Sequence, residues 1–153
     1  MLTLLMALAA ATGTGDQIIL SEVCAVGRVA LRDLPGFNAN HDFRSYYAKP
    51  GGSQQDLLDV CPSLRPLVTR LYPLADNRAR AEASIHAPVA GRADLTSTQI
   101  FSIAPPIISP DGKSAVVTMR YECSGLCGGY TEFSYVRTPA GWRQEKARVT
   151  AVS

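Results

Sequence analysis

The most regular pattern of apolar and polar residues lies in the last third of the chain. Ser114 to Cys123 alternates, and so does Tyr130 to Arg137, which predicts two strands with one buried face each. If Ser124-Gly125-Leu126 is a three-residue hairpin loop, Cys123 pairs with Cys127, Tyr121 with Gly129, Met119 with Thr131, Val117 with Phe133 and Ala115 with Tyr135. All of these fall on one, mostly apolar, face. Thr118, Arg120, Glu122, Glu132 and Ser134 fall on the other, with Val116, Tyr130 and Val136 as exceptions. A slip by one residue would bury Arg120 and Glu132, so burial itself selects the register. Pro110-Asp111-Gly112-Lys113 has turn chemistry, and Thr138-Pro139-Ala140-Gly141 fits a type I turn into a final strand near Trp142. Trp142 and Val149 have opposite parity, so both face inward only if that strand carries a bulge.

Upstream the period changes. Ile18 to Leu34 has helical spacing, with Ile19, Val23, Val26 and Ala30 on one stripe, Asp16 as N-cap and Pro35-Gly36 as the stop. Gly27 inside this helix costs about 1 kcal/mol relative to Ala, so packing must hold it. A short strand is expected around Phe43 to Ala48. Ser53 is the expected cap of a brief helix from Gln54 to Val60. A second helix opens at Cys61-Pro62-Ser63, carries Leu64, Leu67, Val68 and Leu71 on one face, and ends at Tyr72-Pro73. From Arg78 to Ala87 the alternation is strict, which predicts a strand, although alanine favours helix over strand. Pro88 to Asp94 reads as connection, and Ile100 to Ala104 as a strand ended by Pro105-Pro106. Helices followed by strands predict an α+β fold, with N-terminal helices packed on a C-terminal antiparallel β-meander.

With 153 residues, 46% hydrophobic and 18% charged, the chain has the length of one domain and the composition of a globular one. The formal net charge of +2 makes nucleic acid an unfavoured principal partner. Met1 to Gly15 has no charged side chain, and its apolar run from Leu2 to Ala11 suits a signal peptide and is too short to span a bilayer. The division expected is a signal peptide over 1–15 and one α+β domain over 16–153, exported to the periplasm or secreted. A short buried N-terminal helix is the alternative.

Four cysteines in an oxidising compartment are read as disulfides. Cys123 and Cys127 face each other across the expected hairpin, which brings their Cβ atoms near bridging distance. Unpaired thiols, or a redox or metal site, are the competing readings. Cys24 and Cys61 each adjoin a helical stretch and could bridge, with the other pairings open. His41 and His86 are the only histidines, and no nucleophile elbow, phosphate loop, dinucleotide fingerprint or zinc-protease pattern accompanies them. Asp56 and Asp59, one helical turn apart, read as a solvated face. Gly128-Gly129 serves backbone geometry or, less economically, an anion-binding nest. Arg143, Lys146 and Arg148 read as a charged edge that discourages strand addition. No catalytic residue, metal site or cofactor is predicted.

Three segments occur in order: Ser109-Pro110-Asp111-Gly112-Lys113-Ser114-Ala115-Val116-Val117, Cys123-Ser124-Gly125-Leu126-Cys127-Gly128, and Gly141-Trp142-Arg143. Together they resemble the C-terminal sheet of uncharacterised, often secreted, bacterial proteins with a Cys-Gly-x-Leu-Cys-Gly hairpin. The likeness covers roughly residues 97 to 153. Ser124 replaces the usual glycine, and a tryptophan usual near Thr150-Ala151 is missing. The resemblance implies an antiparallel sheet and export, and carries no activity or functional residue with it. The expected function is therefore an exported, non-enzymatic domain that binds a protein or polysaccharide in the envelope, with no membrane span. The alternative is a small hydrolase or thiol enzyme using His41 or a free cysteine.

Overall fold

A computed structural model describes residues 14–34, 44–49, 51–85, 98–125 and 127–152. The expected signal peptide therefore lies outside the described residues up to residue 13, as do His41, His86 and the 88–94 connection. Helix α1 runs Thr14–Asp33 and starts two residues before the expected cap at Asp16. Strand β1 is Arg44–Tyr47, inside the expected stretch. Helices α2 (Leu57–Val60), α3 (Arg65–Leu71) and α4 (Asn77–Ala83) follow, with a 3-10 turn over Pro62–Leu64. The remainder is strand: β2 (Thr98–Ile103), β3 (Ile107–Ile108), β4 (Ser114–Cys123), β5 (Cys127–Thr138) and β6 (Gly141–Val152).

The expected α+β architecture is present. The sheet order is β1-β2-β4-β5-β6, with β3 pairing β4. Among the described strands β1 and β2 pair parallel, with α2 to α4 in their crossover, and the other strand pairs are antiparallel. The β4–β5 register is the one burial selects, from Ala115↔Tyr135 through Val117↔Phe133 to Cys123↔Cys127. Ala115, Val117, Met119, Thr131, Phe133 and Tyr135 are buried beneath the N-terminal helices. The bulge demanded by Trp142 and Val149 is also present. The β5–β6 register shifts at Ser134/Tyr135 and again at Tyr130/Thr131, so Trp142 stands opposite Arg137 and Val149 opposite Thr131, all on the inner face.

Helix α1 buries Val23, Val26, Ala30 and Leu31. Gly27 lets the buried Leu57 lie against the helix, since a Cβ there would sit 2.6 Å from Leu57 Cδ1. Beside this contact, Cys24 and Cys61 form a disulfide that ties α1 to the end of α2.

Three expectations need correction. The strand expected over 78–87 is helix α4 as far as Ala83. Ala79 and Ala83, which alternation also placed together, are one helical turn apart and buried. Their small side chains let α4 pack on β2, and helix propensity prevails. The cap of α2 is Asp56, not Ser53. Its side chain accepts from Leu58 N, while Asp59 accepts from the Asp56 N–H, forming a capping box. Asp56 is thus 1% exposed instead of solvated. Strand β3 was not expected; after Pro105-Pro106 the chain resumes pairing along the same edge of β4.

Candidate functional site

The two faces of the sheet are covered unequally. Helices α1 to α3 pack on the inner face. On the outer face α4 covers only the β1–β2 end, where Ala83, Ile100 and Ala48 form a small second core. Glu82 fastens this lid: it accepts from Arg78 Nε at 2.8 Å and from Thr98 Oγ1 at 2.7 Å, and also pairs with Arg44. The bonds from Arg78 and Thr98 hold its carboxyl below the ordinary glutamate range. Beyond α4 no other described helix covers the outer surface of β4 and β5.

A groove of about 530 Å³ lies on that surface. Thr118 and Arg120 of β4 and Tyr130 of β5 form its floor with Ser102 of β2, because these alternate positions face away from the inner core. Pro105, Pro106 and Ile107 make an apolar wall, and Gln54 and Gln55 bring primary amides to the rim. The Arg120 guanidinium lies 5.8 Å from the Tyr130 ring centroid and pairs with Glu122, so its donor fork is held in place. The arrangement combines an aromatic surface, fixed donors and amide groups of both senses. The described lining residues bring no nucleophile and base together.

A smaller cavity of about 90 Å³ adjoins it, sharing Ser102 and Arg120 with the groove. Lys49 and Arg80 line it as well, with Glu122 as the carboxylate. Lys49 Nζ is 2.7 Å from Asp59 Oδ2. That bond, with the Asp56 N–H, lowers the Asp59 pKa. Arg80 has no ion-pair partner among the described residues.

On the inner face, a cleft of about 710 Å³ opens between α1 and the β5–β6 ladder, lined by Val29, Arg32, Phe133, Trp142 and Ala147 among others. Glu22 ties α1 to this ladder, accepting from Trp142 Nε1 and from Arg137, both at 2.9 Å.

Tyr47 donates to Asp56 Oδ2 at 2.9 Å in a buried pair between β1 and α2. Burial is the main cause that raises both pKa values, which carries the tyrosine further from neutrality. With Leu58 N satisfying the other Asp56 oxygen, the pair links β1 to α2 and is structural. Its capping pattern, Asp56-x-x-Asp59, is visible in the sequence; its burial is not.

The cysteines are accounted for as far as the described residues go. Cys24 and Cys61 are joined, and Cys123, opposite Cys127 in the ladder, is itself disulfide-bonded. None of Cys24, Cys61 and Cys123 is therefore a free nucleophile. Gly128 and Gly129 form ladder pairs with Glu122 and Tyr121, and a Cβ at Gly129 would collide with the Ala151 carbonyl oxygen. Close backbone approach explains that glycine without an anion nest. Ser124 accepts from Thr98 N at 3.0 Å and ties the hairpin tip to β2. Among the described residues no group of three His, Cys, Asp or Glu side chains could hold a metal, and no helix is long and apolar enough to cross a membrane. Comparison with protein-family models, curated proteins and solved structures finds no match for the chain.

Proposed function

We propose that this protein is an exported, non-enzymatic domain of the bacterial envelope that binds a polysaccharide along the open outer face of its sheet. The observation that carries the reading is the Arg120–Tyr130 pair on the floor of a groove flanked by Gln54, Gln55, Ser102 and Thr118. A sugar ring has an apolar face of C–H groups edged by hydroxyls. It matches a surface that offers an aromatic ring and fixed donors and acceptors side by side. A groove of this size lies in the ordinary range of ligand sites, roughly 300–1,000 Å³.

Export is inferred from the uncharged apolar run before Thr14 together with the Cys24–Cys61 disulfide, a bond suited to an oxidising compartment. Membership among the secreted bacterial proteins with a cysteine hairpin rests on the sequence likeness of residues 97–153. Affinity electrophoresis through gels containing single polysaccharides tests the binding reading. Retardation by at least one glycan, lost in Tyr130→Ala with an unchanged circular dichroism spectrum, is the expected result. Retardation that survives Tyr130→Ala undiminished, or none with any glycan, would overturn it.

A further inference from the structure

The small cavity beside the groove narrows the ligand class. Three of its lining side chains are cationic: Lys49, just after β1, Arg80 of α4 and Arg120 of β4. Each comes from a different part of the fold, so their convergence is a product of tertiary structure and not of a basic run in the sequence. The opposing carboxylates are Glu122, which pairs with Arg120, and Asp59, which pairs with Lys49. Among the described residues that leaves Arg80, itself exposed, as the lining cation without an ion-pair partner, beside a floor made by Ala48, Ile100 and Ser102. A volume of about 90 Å³ admits one small group and not a sugar ring. Because the cavity and the groove share Arg120 and Ser102, a ring lying in the groove can direct a substituent into the cavity.

We infer that the cavity receives a carboxylate borne on the sugar, so that the polysaccharide bound is an acidic, uronate-containing one. This deepens the groove reading and depends on it. Arg80 supplies the planar donor fork that fits a carboxylate in two-point fashion, and Ser102 can donate a further hydrogen bond to it. Arg120 then serves both subsites, positioned by Glu122 and the Tyr130 ring.

The test compares polygalacturonate with dextran, an uncharged glucan, on the full chain at fixed ionic strength. The expected result is binding of polygalacturonate that weakens about ten- to a hundredfold in Arg80→Gln, the usual cost of losing a charge-assisted hydrogen bond. Arg80→Lys should restore part of it, since a point charge remains without the fork. Arg28→Gln, an equal loss of charge on α1, should leave binding unchanged, which separates a site from general attraction of a polyanion. Unaltered binding in Arg80→Gln, equal losses in Arg28→Gln, or dextran bound as tightly as polygalacturonate would each overturn the carboxylate subsite. In the last case the groove reading stands, whereas binding of neither polymer, nor of any other glycan, would remove the groove reading itself.

Discussion

Strands β2 and β6 belong to one sheet and live in opposite circumstances. All six residues of Thr98–Ile103 are buried, with α1 to α3 beneath the sheet and α4 above it. Not one residue of Gly141–Val152 is buried. Around β2 the polar and covalent ties between elements are dense. Glu82 clamps α4, Asp56 caps α2, and the Cys24–Cys61 bond fixes the helical layer. At the β6 end two register shifts curl the strand and leave a cleft against α1. The difference separates the stabilising end of the molecule from the accessible one, with the outer groove starting where the α4 cover stops.

Changes can sharpen or erase this contrast. The largest effect is expected from Met119→Ala, in the fully buried centre of β4, at roughly 2–5 kcal/mol in denaturant unfolding. A loss below about 0.5 kcal/mol would mean that the centre is less tightly packed than its burial implies. Next, replacing both Cys24 and Cys61 by serine should cost roughly 2–4 kcal/mol, and reduction of the unaltered protein should lower its melting temperature in the same direction. Gly129→Ala should cost about 1–3 kcal/mol, because its Cβ meets the Ala151 carbonyl and pushes the end of β6 away. Hydrogen exchange of the β6 amides should speed up in this variant while that of β2 does not.

A smaller and opposite-signed effect belongs to pH. Burial raises the Asp56 pKa above the ordinary aspartate value, so the native state holds this proton more tightly than the unfolded chain. Its contribution to stability is complete below the ordinary value and is lost as pH rises through the raised native value. The stability difference between wild type and Asp56→Asn should therefore move in favour of wild type on going from neutral pH to about pH 3.5. Denaturation midpoints of both proteins at the two pH values measure it, and no change in the difference would mean that Asp56 is not desolvated. Least of all, Val149→Ala, at 54% exposure on the inner face of β6, should shift stability by no more than about 0.5 kcal/mol. A larger loss would show that the open end is covered after all.

Legibility in the sequence follows the same division. Strands β4 and β5 could be read, paired and put in register because one face of each is buried and the other wet, so composition reports geometry directly. The bulge in β6 was legible for the same reason, through the parity conflict of Trp142 and Val149. Helix α4 was not, because Ala79 and Ala83 satisfy a period of two as well as a helical turn, and only propensity distinguishes them. Asp56 misled because its spacing to Asp59 describes an exposed helix face equally well; burial comes from Tyr47, nine residues away and on a strand. The binding groove was least visible. Arg120 and Tyr130 could be placed on the polar face by alternation, but Gln54, Pro106 and Arg80 reach them only through long-range packing.

The extra residues of β6 also give the strand's length a meaning that its composition lacks. Glu145 and Thr150 are the positions skipped by the β5–β6 pairing. Deleting Glu145 would restore uninterrupted alternation and look harmless on any scale of hydrophobicity. It would also keep every β5–β6 pair, since Gln144 opposite Tyr135 and Lys146 opposite Ser134 would become neighbours on alternate faces, and Trp142 would stay inward beside Glu22. Loss of Ala147 would instead carry Lys146 inward against Phe133, so in this strand the place of a missing residue decides the outcome, and Glu145 is a position that forgives it.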